Sequence, residues 1–130
     1  MYSKITRDVK VTVKPYFLED QSSPNDNHYV WAYKIHIENH SENQLKLNHR
    51  TWTIIDGNGE VLQIQGVGVV GETPVINPGE TYEYTSGTPL KTTSGIMQGY
   101  YSMTVKGGDH LKIDIPTFSL DSPYEKKKIH

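Results

Sequence analysis

The chain has 130 residues, no cysteine, and 13 Lys and Arg against 15 Asp and Glu, for a formal net charge of −2. That length makes one domain with a sizeable core, and the missing cysteines exclude disulfide staples, zinc–thiolate sites and thiol catalysis while fitting a reducing compartment. The two charge signs are interspersed, which excludes a dominant nucleic-acid-binding face.

Alanine is the best helix former, whereas β-branched and aromatic residues suit a pleated sheet. Here a single alanine, Ala32, stands against 9 tyrosines and abundant Val, Ile and Thr, so the composition predicts an all-β protein. The N-terminal Met1-Tyr2-Ser3-Lys4-Ile5-Thr6-Arg7 has no apolar leader core, and no long apolar run follows. A cytoplasmic chain that does not enter a membrane is the expectation.

The first clear strand is Val9 to Phe17, with Val9, Val11, Val13 and Phe17 on one face and Lys10, Thr12 and Lys14 on the other. Pro15 interrupts it and points to an edge or a bulge, because proline has no N–H to give a ladder. Glu19 to His28 is polar and turn-rich and reads as a loop. Tyr29 to Glu38 then alternates cleanly, and Tyr29, Trp31, Tyr33, Ile35 and Ile37 make a large core face.

On the opposite face His36, Glu38 and His40 follow one another at about 6.6 Å, the spacing of alternate strand residues. Two imidazoles and a carboxylate form a nitrogen–oxygen set suited to a borderline divalent cation, provided that the strand continues past Asn39. Polar alternation opposite a core face is equally the ordinary solvated sheet. Asn39-His40-Ser41 is formally a glycosylation sequon, taken as chance in a chain without a secretory leader.

Leu45 to Asp56 is strand-like and carries Leu47, Trp52 and Ile54, and Asp56-Gly57-Asn58-Gly59 closes a hairpin with residues that accept positive φ. The strand resumes from Val61 to Gly71 and contains Gly66-Val67-Gly68-Val69-Val70-Gly71, a literal G-x-G-x-x-G. A dinucleotide fingerprint needs a following helix whose N-terminus receives the pyrophosphate. Glu72-Thr73-Pro74-Val75-Ile76-Asn77-Pro78-Gly79 leaves no such helix, so these glycines are expected to be structural or to shape a binding loop. In a regular strand Gly66 and Gly68 lie beside Leu62 and Ile64 and leave a bare patch, with Trp52 the candidate to fill it.

Pro78-Gly79 suits a type II turn, and Tyr82 and Tyr84 just after it predict the tyrosine corner of immunoglobulin-like sandwiches. A last hairpin pairs Gly99–Val105 with Leu111–Phe118 across Lys106-Gly107-Gly108-Asp109. The sum is a β-sandwich of about seven or eight short antiparallel strands with almost no helix, immunoglobulin-like or fibronectin type III-like. One domain spans 1–130, with a core from about residue 8 to 120 and a polar tail over 121–130 in which Lys126-Lys127-Lys128 is solvated.

Arg50 and Trp52 share a face and leave two readings open. Arg50 either stacks on or beside a core Trp52, or stands at a surface groove and donates to an anion or a partner carboxylate. In the second case Glu72 and the amides around Gly68 to Gly71 complete a small anion nest. No nucleophile, base and acid constellation is visible, and Ser86-Gly87 and Ser94-Gly95 are turn-like.

From Arg50 onward the chain resembles the ApaG family, also called CorD. The residues that carry the resemblance are Arg50-x-Trp52-x-Ile54-x-Asp56-x-x-Gly59, Gly66 to Glu72 with Pro74, Pro78-Gly79-x-x-Tyr82-x-Tyr84-x-Ser86-Gly87, Leu90, Gly95-x-Met97-x-Gly99-x-Tyr101-x-Met103, and Ile115-Pro116-x-Phe118-x-Leu120. The resemblance implies a fibronectin type III-like sandwich without established enzymatic activity, an association with divalent-cation homeostasis, and a gene neighbour that degrades diadenosine tetraphosphate. The expected function is a non-enzymatic, cofactor-free binding module, monomeric or homodimeric. It contacts a protein partner through one sheet face or the loops near the glycine motif, with Arg50, Trp52, Gly66, Gly68, Gly71, Glu72 and Tyr84 as candidate residues. Two alternatives stand beside it: a phosphorylated small molecule (nucleotide, pyrophosphate or diadenosine polyphosphate) at the glycine loop with Arg50, and a divalent cation at His36, Glu38 and His40.

Overall fold

Alternation of apolar and polar residues is realised strand by strand in the computed structural model, which describes residues 1 to 124. The strands are β1 (Tyr2–Thr6), β2 (Val9–Phe17), β3 (Tyr29–Asn39), β4 (Leu45–Asp56), β5 (Val61–Val67), β6 (Val75–Ile76), β7 (Thr81–Leu90), β8 (Ser94–Val105) and β9 (His110–Asp121). Nine replace the expected seven or eight because β1 and the two-residue β6 carry no alternating pattern of their own. Helix is confined to two single 3₁₀ turns, Glu19–Gln21 and Pro24–Asp26.

Two antiparallel sheets form the sandwich, one in the order β1-β2-β3-β7 and the other in the order β5-β4-β8-β9 with β6 on β4. This is the immunoglobulin-like arrangement: β2, β3 and β7 occupy the A, B and E positions, β4, β8 and β9 the C, F and G positions, and β5 extends the second sheet. Between the sheets, the core face of β3 meets Trp52 and Phe118. The Tyr33 and Trp52 rings lie 5.3 Å apart and the Trp52 and Phe118 rings 6.0 Å apart, both edge-on.

Local irregularities follow from residue chemistry. Pro15 sits just beyond the reach of β1, which pairs only as far as Val13, so the missing N–H faces a free edge. Arg7 and Asp8 both have positive φ, 48° and 64°, and form the two-residue β1–β2 turn without the usual Asn-Gly. In β4 the register against β8 shifts between Leu47 and His49. Asn48 is the extra residue, and the shift turns Arg50, Trp52 and Ile54 to the inner face where strict alternation from Leu45 and Leu47 would turn them out.

The two sides of the sandwich differ. On one side β1 and β9 are joined by side chains: Tyr2 packs on Phe118 at 5.9 Å, its hydroxyl meets Ser119 Oγ at 3.1 Å, and Lys4 pairs with Asp114 at 3.3 Å. On the other side β5 and β7 end their sheets without pairing to one another. They leave an apolar groove of about 240 Å³ lined by Ile54, Leu62, Pro89 and Leu90. Beside the span 8 to 120, β1 adds a strand at the N-terminal side, and beyond it Ser122 is buried and the Tyr124 ring packs 6.0 Å from Phe17. Lys126, Lys127 and Lys128 lie outside the described residues.

Asn39, the sequon residue, is 1% exposed. Its Nδ2 donates to the carbonyls of Asn43 at 2.8 Å and Ile76 at 2.9 Å, and its Oδ1 accepts from the Ser41 amide at 3.0 Å and the Ser41 hydroxyl at 2.6 Å. Every polar atom of the side chain is engaged, and a glycan has no access. Replacement by alanine strands the Ile76 carbonyl in the interior and releases the Ser41–Asn43 turn, so Asn39→Ala is expected to cost roughly 2–3 kcal/mol, read as a lower urea midpoint with an unchanged slope.

Candidate functional site

Across the β4–β5 ladder, Arg50 stands opposite Gly66. A Cβ built on Gly66 would lie 2.7–2.8 Å from the guanidinium atoms of Arg50, so the guanidinium takes the place of a side chain there. From that seat Nη1 donates to the carbonyl of Gly68 at 2.8 Å and to that of Val67 at 3.2 Å. A phosphate cradle aims N–H groups at its ligand. This loop aims carbonyl oxygens at a cation, which is the opposite polarity.

The amides of the loop serve the chain itself. Gly68 N donates to Asn48 O at 2.7 Å, Val69 N to Glu72 O at 2.8 Å, and Glu72 N to Val69 O at 3.0 Å. Between the last two, Val70 and Gly71 have φ of 48° and 79°, the signature of a two-residue type I′ turn. Gly68 is fixed by space as well as conformation, since a Cβ there would fall 1.9 Å from the Glu72 carbonyl oxygen. Three of the loop amides, those of Gly68, Val69 and Glu72, are thus spent within the chain. Gly66 seats Arg50, Gly68 admits the returning chain, and Gly71 makes the turn.

Trp52 does not fill the bare patch. It pairs with Gly99 on β8, where a Cβ would meet its Cε3 at 3.0 Å, and at 2% exposure it belongs to the core. Tyr84, 8% exposed, is likewise internal, with its hydroxyl 2.5 Å from that of Tyr101 across the two sheets. Neither side chain is placed to meet a partner. Burial pushes the Tyr84 and Tyr101 phenols far above the usual range, and it raises Tyr33 more modestly, with the nearby Arg50 charge pulling all three slightly down.

Tyr82 forms no tyrosine corner. Its hydroxyl donates to Glu72 Oε2 at 3.0 Å instead of reaching backbone, and burial together with the Glu72 carboxylate raises its pKa. Glu72 is thus held by β7 and not by Arg50.

The proposed cation ligands separate. His36 Nδ1 meets Glu83 Oε1 on β7 at 3.0 Å, while His40 Nε2 meets Glu38 Oε1 at 3.2 Å. The strand ends at Asn39, and cross-strand neighbours lie closer than successive residues of one face. No group of three potential ligands gathers at one point among the described residues.

Sequence reasoning missed Asn48, Val70 and Tyr82 as parts of this site. A bulge has no residue signature at Asn48. A valine in the left-handed region is unexpected for a β-branched side chain, and only the following Gly71 hinted at the turn.

The model of the ApaG domain family matches residues 19–105. A Protein ApaG from Paramagnetospirillum magneticum is 55% identical over 130 residues, covering 100% of both chains. The crystal structure of a Bordetella pertussis protein named ApaA superposes with a TM-score of 0.87 at 39% identity, covering 91% of this chain and 96% of the other. The C-terminal domain of wzt shares the fold alone, with a TM-score of 0.58 at 11% identity over 96% of this chain and 79% of that one.

Two outcomes follow from this geometry. Gly66→Ala should destabilise by about 2 kcal/mol in the wild-type background, where it evicts the guanidinium, but by less than about 0.5 kcal/mol beside Arg50→Ala. A double-mutant cycle in urea measures that difference. The second concerns alkali. The folded state keeps protons on Tyr84 and Tyr101 that an unfolded phenol releases at its ordinary 10.0. Their contribution is therefore complete below pH 10 and is lost as pH rises above it. Phenolate absorbance of these residues should appear only together with loss of the near-ultraviolet dichroism.

Proposed function

The chain belongs to the ApaG domain family, and on that footing we propose that it is a non-enzymatic, cytoplasmic module that binds a protein partner through the tip of its glycine turn. One observation carries this reading. Val70 is held in the left-handed region at φ 48° while remaining 61% exposed. For a β-branched residue that conformation costs on the order of 1–3 kcal/mol, and strained residues of this kind collect at functional sites.

The turn is also rigid before any partner arrives. Arg50 fixes the carbonyls of Val67 and Gly68, Asn48 fixes the Gly68 amide, and Tyr82 fixes the Glu72 carboxylate. A preorganised loop loses little entropy on binding. Exposed Val67 adjoins the turn and widens the apolar tip. The chemistry that fits is a protein surface offering an apolar pocket to the valine. The family association with cation homeostasis then acts through that partner. The phosphate alternative has fewer supports, since the Gly68, Val69 and Glu72 amides are internally bonded and the guanidinium already holds two carbonyls.

Val70→Asn tests the reading, because Asn-Gly is the preferred type I′ pair. The variant should melt a few degrees higher, through relief of about 1 kcal/mol of strain, and should fail to retain the proteins that immobilised wild type captures specifically. Identical capture by wild type, Val70→Asn and Arg50→Ala would refute the proposal.

A further inference from the structure

Four strands end the two sheets, β1, β7, β5 and β9, and the two-residue β6 lies on β4 on the same side as β5. An exposed sheet edge is a template for pairing, and proteins blunt such edges with charges or proline. Lys4 sits in β1, Glu83 and Pro89 in β7, and Lys112, Asp114 and Pro116 in β9. Among the described residues, the β5 segment Val61-Leu62-Gln63-Ile64-Gln65-Gly66-Val67 is the one edge longer than two residues that has neither. Its apolar side chains stand uncovered on both faces, with Leu62 57% and Ile64 37% exposed and Val61 and Val67 more so.

The ladder with β4 shows which backbone groups are free. At its two ends Asp56 N donates to Glu60 O at 3.0 Å and Gly68 N to Asn48 O at 2.7 Å, within the same register that pairs Trp52 with Ile64. Hydrogen-bonded pairs recur at every second residue of an antiparallel ladder. Leu62, Ile64 and Gly66 therefore spend their backbone groups on β4, and Val61, Gln63, Gln65 and Val67 direct theirs to the open edge, the Val67 carbonyl there also accepting from Arg50 Nη1 at 3.2 Å.

We infer that β5 pairs antiparallel with β5 of a second copy about a twofold axis at Ile64. The segment is close to a palindrome about that residue: Val61 comes opposite Val67 of the second copy, Gln63 opposite Gln65, and Ile64 opposite itself. The register joins the odd-numbered residues to one another, so Gln63 and Gln65 exchange both backbone bonds and the Val61–Val67 pair flanks them with a Val67 carbonyl shared with Arg50, whereas a twofold axis placed between residues would set edge-facing groups against spent ones. Side chains agree with the backbone. Gln63 and Gln65 lie on the outer face beside Thr51 and Thr53 and form reciprocal amide pairs. Leu62 and Ile64 share the inner face with Ile54 and Trp52, and gather at the seam between the two sandwiches. No like charges meet, and the contact is isologous and closed.

This surface shares only Val67 with the valine tip, and the two are tested apart. Sedimentation of the full chain up to about 0.5 mM should show a reversible monomer–dimer equilibrium. Ile64→Lys, which sets two ammonium groups across the axis, and the pair Gln63→Lys with Gln65→Lys should each weaken dimerisation by roughly tenfold or more. Gln63→Lys with Gln65→Glu places opposite charges in register and should restore it. Circular dichroism confirms that each variant is folded. Dichroism showing an unfolded Ile64→Lys would pass the decision to the two glutamine pairs alone. A monomeric wild type at every concentration, or equal dimerisation by the Lys/Lys and Lys/Glu variants, overturns the inference. Val70→Asn leaves the dimer intact in either case, so loss of partner capture and loss of self-pairing are separately visible.

Discussion

A guanidinium lying where a glycine lacks its side chain decides the shape of one whole side of this molecule. Arg50 stands on the inner face of β4 only because the extra residue at Asn48 re-phases the strand. The same bulge residue supplies the carbonyl that receives the Gly68 amide. One local irregularity thus places both the cation and the loop it clamps. Without Arg50 the carbonyls of Val67 and Gly68 lose a charged donor, and the turn beyond them loses its seat. Hydrogen bonds from a charged group are among the stronger ones in proteins, which suits a position where one side chain must hold a chain reversal at an open edge.

The sandwich therefore closes its two sides by different means. At β1 and β9 it uses an aromatic contact, a hydroxyl pair and an ion pair between side chains. At β5 and β7 the second sheet overhangs, and the polar set Arg50, Glu72 and Tyr82 closes only one end of the gap. Two buried polar networks are satisfied inside the fold: the Tyr84 and Tyr101 hydroxyls pair between the sheets, and Asn39 ties the Ser41–Asn43 turn to β6, whereas the buried Trp31 Nε1 has no partner. Those networks define one packing of the core, because each leaves an orphaned donor or carbonyl if broken.

Much of the fold was legible in the residues. The β3 ladder of Tyr29, Trp31, Tyr33, Ile35 and Ile37 is a pattern of period two strong enough to name its own core face, and all five are buried. Asp56 to Gly59 announced its turn because glycine adopts positive φ without cost. What escaped depends on partners distant in sequence. β1 has little apolar alternation and turns through Arg7-Asp8, so nothing local marks it as a strand. Arg50 and Gly66 are joined by register, and register follows from a bulge that leaves no composition signal. His36 looked like part of a metal set along its own strand, but its neighbour proved to be Glu83 across the sheet. Single-strand reasoning sees which residues share a face, and it does not see which strand lies beside them.

The glycine motif gains its meaning from that same distinction. As a string it resembles a nucleotide fingerprint, and its chemistry is set by the direction of its peptide groups, which a string does not contain. Carbonyls of Val67 and Gly68 face the cation and the amides of Gly68, Val69 and Glu72 face the chain, so the loop recognises Arg50. What remains free for other molecules is apolar and uncharged: a valine tip held under strain, and an edge strand without a single protective charge. Both features cost the isolated chain something, the first in backbone energy and the second in exposure to unwanted pairing. Asn at the tip would relieve the backbone strain and Lys on the edge would blunt unwanted pairing, so Val70 and the neutral β5 mark the side of the molecule on which both proposed contacts fall.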